Sequence, residues 1–144
     1  MTNEFIKVNS GNMVPLQNVK RIREVSEEDR KSLSELGEHV DAHKFRTRLE
    51  YKDGRRSFAA ETLNDYLAQG VELVEIDQGA YVPTQNIISA KDLSPDDRQE
   101  IENRMGRPLR DEFCSQVETK AGTVLATIDA AKIMHRMAHP EFAA

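Results

Sequence analysis

Tryptophan is absent from this 144-residue chain, cysteine occurs once, and aromatic residues make up only 6%. So few rings leave a modest core of aliphatic side chains, in a globular rather than a disordered chain. A single thiol, Cys114, excludes an internal disulfide and fits a reducing compartment. No apolar run is long enough to span a bilayer, and Met1-Thr2-Asn3-Glu4 shows no charged-then-apolar signal pattern. A cytosolic protein without a membrane partner is expected. Also missing are a phosphate-cradling glycine loop, a Cys-x-x-Cys pair and a Gly-x-Ser-x-Gly nucleophile turn. Low-complexity segments are absent too. Carboxylates are plentiful, but most fall where helices begin and act there as caps, so no catalysis and no cofactor are expected.

What is present is a repetition. Val14-Pro15-Leu16-Gln17-Asn18-Val19 returns as Val82-Pro83-Thr84-Gln85-Asn86-Ile87, a shift of 82 − 14, or 68 positions. The same shift, without a gap, carries Gly11 onto Gly79, Ser26 onto Ser94, Asp29 onto Asp97, Phe45 onto Phe113 and Gly54 onto Gly122. The implied architecture is an α+β fold, an internal tandem duplication of a β-hairpin-plus-helix unit, with a pseudo-twofold, in one compact domain. Its parts are a first repeat over 5–67, a second over 73–135, and a C-terminal tail over 136–144. A unit of this size is marginal alone, so the copies are expected to pack together.

Local patterns fill in each copy. Phe5 to Val8 and Met13 to Leu16 read as strands, with Ser10-Gly11-Asn12 turning between them. Pro15 and Pro83 place their strands at edges, where exposed pairing also makes a homodimer conceivable. Val19, Ile22 and Val25 are spaced by three, which fits a short helix or an irregular strand equally. Ser26 and Ser94 cap helices whose first turns are acidic. Leu33 and Leu36, then Ile101 and Met105, form the inward stripes, and Gly37 and Gly106 stop the helices. Phe45 to Tyr51 and Phe113 to Thr119 alternate as strands. Asp53-Gly54 and Ala121-Gly122 are the hairpin turns, with positive φ expected at both central positions of the first. Helices at Glu61 to Gln69 and Asp129 to Ala138 close the copies.

Charge divides the copies. The net charge is −5 overall, yet residues 1–67 carry 12 Lys/Arg against 12 Asp/Glu, and the remainder 8 against 13. The cations of the first copy gather as Lys20, Arg21, Arg23, Arg46, Arg48, Arg55 and Arg56, with Lys44 and Lys52 beside them. The equivalent strand of the second copy carries Glu112, Cys114, Gln116 and Glu118. Two readings stand: an anion- or partner-binding face, for phosphate or an acidic protein, and a solvated strand face on which Glu50 offsets the arginines and basic residues blunt an edge. Histidines pair at helical spacing, His39 with His43 and His135 with His139. Such pairs can hold a metal, with Glu35 or Asp41 as a third ligand. Gly37 and Pro140 break the helices that would carry them, so no metal is expected. Cys114 is expected to face outward on its strand.

The order of an apolar strand, Val-Pro-x-Gln-Asn-[Val/Ile], a hairpin around Lys52-Asp53-Gly54 and a closing helix resembles the β-rich half-unit of LytTR-type DNA-binding domains, with Leu73, Ile76, Tyr81, Val82 and Ile87 matching in kind. The resemblance implies a DNA-binding transcriptional regulator. The family's His-Arg-Ser falls on Asp77-Gln78-Gly79, however, and its Asn on Pro83. An aspartate repels phosphate, so the likeness speaks for a scaffold more than for readout. The favoured expectation is a non-catalytic binding or regulatory protein of bacterial or phage type, using the cationic face of the first copy on a protein or other anionic partner.

Overall fold

The computed structural model describes residues 4–35 and 44–138. The first half runs β1 (Phe5–Val8), β2 (Asn12–Pro15), a 3-10 turn (Leu16–Asn18), β3 (Val19–Glu24), α1 (Glu27–Ser34), β4 (Thr47–Tyr51), β5 (Arg56–Ala59) and α2 (Leu63–Ala68). The second runs β6 (Leu73–Asp77), β7 (Ala80–Pro83), a 3-10 turn (Thr84–Asn86), β8 (Ile87–Asp92), α3 (Pro95–Met105), β9 (Ser115–Thr119), β10 (Gly122–Ala126) and α4 (Ala130–Ala138). The fold is α+β. No helix among the described residues is long and apolar enough to cross a membrane.

Three antiparallel sheets result: β1-β2, β10-β9-β8, and a five-stranded sheet in the order β5-β4-β3-β7-β6. The ladders match across the halves. Val19 faces Tyr51 and Arg21 faces Glu50, with a bulge between; Ile87 faces Thr119 and Ser89 faces Glu118, again with a bulge between. Smaller bonds match too. The Lys52 amide donates to the Asn18 carbonyl and the Lys120 amide to that of Asn86. Val25 donates to Arg46 and Leu93 to Cys114. After the hairpin the offset drops by one, because Arg46 donates to Ala59 while Cys114 donates to Ala126, and 126 − 59 is 67.

The halves join through β3 and β7, with Ile22 opposite Tyr81 and Arg23 opposite Ala80. The Glu24 amide also donates to the Gly79 carbonyl at 2.9 Å. A closed twofold requires a matching ladder between β8 and β2. Among the described strands, β8 pairs only with β9 and β2 only with β1.

Each half has its own apolar cluster. Ile6, Leu16, Val19, Ile22, Leu49 and Tyr66 centre the first, which also takes in Leu73 and Tyr81 from the second half. Val74, Ile76, Val82, Val117, Val124 and Ile133 centre the second. Burying each large aliphatic side chain contributes roughly 1.5–3 kcal/mol.

Several expectations change. The ambiguous stretch from Val19 is a strand. The bulge around Lys20 inserts one residue, so Val19 and Ile22 both point inward at a spacing of three. Pro15 does lie on an edge, but β7 is interior; Pro83 sits beyond its two-residue ladder with β3 and so removes no bond there. At the first hairpin only Gly54 has positive φ, +85°. In the second, Thr119 pairs directly with Gly122, so Lys120-Ala121 make the turn and Gly122 opens β10. β4 starts at Thr47 rather than Phe45, and β9 at Ser115 rather than Phe113. α3 buries no residue fully, and Met105 is 39% exposed instead of inward. The capping boxes at Ser26 and Ser94 and the left-handed stop at Gly106 form as the sequence implies. α4 continues through Ala138, into the span assigned to the tail. Leu36, Gly37, His39, His43 and His139 lie outside the described residues.

Candidate anion-binding face

The outer face of the five-stranded sheet carries the charges. β3 and β4 are in register with Arg21 opposite Glu50 and Arg23 opposite Arg48. Alternation turns these four away from the first cluster, while Ile22 and Leu49 turn into it. Arg21 Nε bonds Glu50 Oε1 at 2.5 Å, and Arg48 bonds Glu50 Oε2 at 2.8 Å and Asp29 Oδ1 at 2.7 Å. The result is a four-membered chain, Arg21–Glu50–Arg48–Asp29, with no side chain in it more than 22% exposed. Burial pushes the Asp29 carboxyl up, but the Ser26 backbone and hydroxyl donors together with Arg48 outweigh it and hold it below its ordinary value. Glu50 behaves alike: burial raises it, and Arg21, Arg48 and Arg23 bring it below.

Arg23 differs from its neighbours. It is half-buried, and no hydrogen bond or ion pair of its side chain occurs among the described residues. Burial first, then the Arg21 charge, lowers its pKa. The remaining cations spread around this centre. Arg46 and Arg56 are exposed. Arg55 is 86% exposed and lies 3.4 Å from Asp53. Lys20 leaves the group: its stem lies over Gly122, in the second half. Thus Arg21, Arg23 and Arg48 come together in the sheet, Arg46, Arg55 and Arg56 form an exposed rim on the β4–β5 hairpin, and Lys20 belongs to the contact between the halves.

Asp29 was legible in the sequence only as a helix-capping acid. Its pairing with Arg48 has no local signature. Asn86 is the other residue that spacing did not single out. It is fully buried, and its amide donates to the Leu16 carbonyl at 2.8 Å and the Val19 carbonyl at 3.0 Å. The recurrence of Gln-Asn was the available signal.

In the second half the corresponding face carries Ser89, Gln116 and Glu118, together with Lys91, which lies 3.4 Å from Asp97. Glu118 bonds Thr123, and Arg110 lies near Asp77 and stacks on Phe113 with its guanidinium 4.4 Å from the ring centre. Cys114 is half-buried. Among the described residues no group of three or more His, Cys, Asp or Glu side chains is placed to hold a metal ion. Comparison with protein-family models, curated proteins and solved structures returns no match.

Proposed function

We propose that this chain is a non-catalytic binding protein made of one folding unit written twice in tandem, and that its first half engages an acidic protein segment through the β4–β5 hairpin. The coincident ladders support the doubling. The one-way join between β3 and β7 favours a head-to-tail relation of the units over a closed pseudo-twofold. The observation that carries the binding reading is the disposition of counter-charges. Glu50 and Asp29 lie on the outer face but are mostly buried and held by Arg21 and Arg48, and among the described residues Arg46 and Arg56 have no carboxylate bonded to them, although Glu50 lies opposite Arg56. Arg23, on β3 at the other side of β4, likewise has no carboxylate bonded to it among the described residues. An extended acidic peptide crossing the hairpin meets cations on both strands.

The test is a binding titration with a fluorescent polyglutamate peptide and, in parallel, duplex DNA. The reading expects peptide binding that weakens with salt and is lost in the triple variant Arg46→Glu, Arg55→Glu, Arg56→Glu, whose melting temperature stays near the parent's. DNA binding with a steep salt slope and no peptide binding supports the LytTR-like regulator instead. Binding of neither removes both.

A further inference from the structure

The three sheets do not exhaust the strand pairing that the fold makes available. One joint is made inside the chain: β3 receives β7, and two sets of strands fuse into the order β5-β4-β3-β7-β6. The pieces left over are a three-stranded sheet, β10-β9-β8, and a two-stranded sheet, β1-β2. By the 68-residue correspondence these are the same two sets in the opposite halves. We infer that β8 of one chain receives β2 of a second copy, so that copies associate head to tail through the joint already built between the halves. This rests on the tandem reading proposed above.

The backbone at both edges fits. Arg23 and Val25 direct their bonds toward β4, which leaves Ile22 and Glu24 facing β7. In β8 the counterparts facing outward are Ala90 and Asp92, and that edge has no strand partner among the described residues. On the other side, Leu16 donates to Glu4, so alternation directs Met13 and the Gly11 carbonyl away from β1. Met13 and Gly11 occupy the places that Tyr81 and Gly79 hold in the internal joint. The intermolecular ladder therefore sets Ala90 opposite Met13, with the Asp92 amide donating to the Gly11 carbonyl, as Glu24 donates to Gly79 now. Asn18 of the incoming copy takes the place of Asn86 and reaches the Thr84 and Ile87 carbonyls.

Side chains give a second, independent argument. Ile88 is 65% exposed and Met13 51% exposed, which is unusual for strand residues of their size. Ile88 corresponds to Lys20, whose stem is covered against Gly122 in the internal joint. A second copy brings its Gly54–Arg55 turn over Ile88 and covers Met13 as Tyr81 is covered. Charge is compatible as well: the acidic half of one chain meets the neutral half of the next. Because the two edges are different surfaces, the contact is heterologous and propagates into chains or a ring.

The experiment is a concentration series of the full chain by light scattering coupled to size-exclusion chromatography, up to millimolar protein. Two variants block one edge each: Met13→Asp on β2, and Ala90→Pro on β8, where the missing amide faces the open edge and leaves the β9 ladder intact. Parent protein is expected to gain mass with concentration, and each variant alone to remain monomeric. A one-to-one mixture is expected to form dimers only, since each variant keeps the edge that the other lacks. Dimers of either single variant mean like-with-like edge pairing and overturn the proposal. A monomeric parent at every concentration also overturns it. The doubling is read separately, from cross-strand NMR contacts in the monomer at Arg21–Glu50 and Ser89–Glu118: finding both with no association sinks only the assembly. If Ala90→Pro fails to fold, Ile88→Glu, at an exposed position of the same strand that the second copy would cover, takes its place.

Discussion

Asn86 and Leu16 lie 70 residues apart in sequence, yet the Asn86 amide donates to the Leu16 carbonyl at 2.8 Å inside the protein. With the second bond to Val19, this one side chain satisfies two carbonyls of the first half from the second. Removing it takes a donor from both carbonyls, away from water; the Leu16 carbonyl keeps the Val19 N–H of the 3-10 turn, so the cost falls mainly on the Val19 carbonyl.

Asn86→Ala is therefore expected to lower stability by about 2–3 kcal/mol. Urea unfolding followed by circular dichroism measures it. A loss below about 0.5 kcal/mol, the range of an ordinary surface change, contradicts the bridging role.

Arg23 and Arg48 face each other across β3 and β4, and their removal should differ. Arg48→Gln leaves Asp29 without its cation and Glu50 with Arg21 alone in a mostly buried setting, and is expected to cost roughly 2–3 kcal/mol. Arg23→Gln relieves a crowded cation without breaking a pair and is expected to stay within about 0.5 kcal/mol of the parent. Equal losses for the two contradict this assignment of the pairs.

Acid stability follows from the carboxylates. Asp29 and Glu50 are held below ordinary values of 3.8 and 4.5 in the folded protein. Between the folded and unfolded values the unfolded chain binds more protons, so stability rises with pH there. Their contribution is complete above the ordinary carboxylate range and is lost as pH falls below it, through the folded values. Glu50→Gln is expected to flatten the acid limb of melting temperature against pH. An unchanged limb contradicts the contribution of Glu50.

Tyr66 and Thr47 form a buried hydroxyl pair at 2.7 Å, in which Thr47 also donates to the Glu61 carbonyl at 2.9 Å. Tyr66 therefore donates to Thr47, and burial pushes its pKa up. Tyr66→Phe keeps the ring in the first cluster and loses one neutral bond, for an expected cost of about 1 kcal/mol by the same unfolding assay. A cost near 3–5 kcal/mol, the scale of a lost aromatic ring, means that packing rather than the hydroxyl was disturbed.

Much of the fold was written locally. Ser26, Ser94 and Gly106 sit at helix ends for reasons confined to a few residues, and the Val-Pro-x-Gln-Asn recurrence marks strand, turn and strand directly. What local pattern did not carry is pairing at a distance. β7 became an interior strand because β3 lies beside it, and nothing near Pro83 in sequence states that. The spacing of Val19 and Ile22 was ambiguous because a bulge, not a helix, produced it. On the charged face, the cations were visible by composition and alternation. Which of them are neutralised was not, because Asp29 meets Arg48 only after α1 folds over the sheet.

β3 serves both apolar clusters at once. It contributes Val19 and Ile22 to the first, and it carries the ladder that ties β7, and through it the second cluster, to the first half. Heat is then absorbed in one sharp peak only while this narrow seam keeps the clusters in step. Whether the molecule melts as one body or as two is decided by a few residues around 16–24 and 79–86, and by neither core on its own.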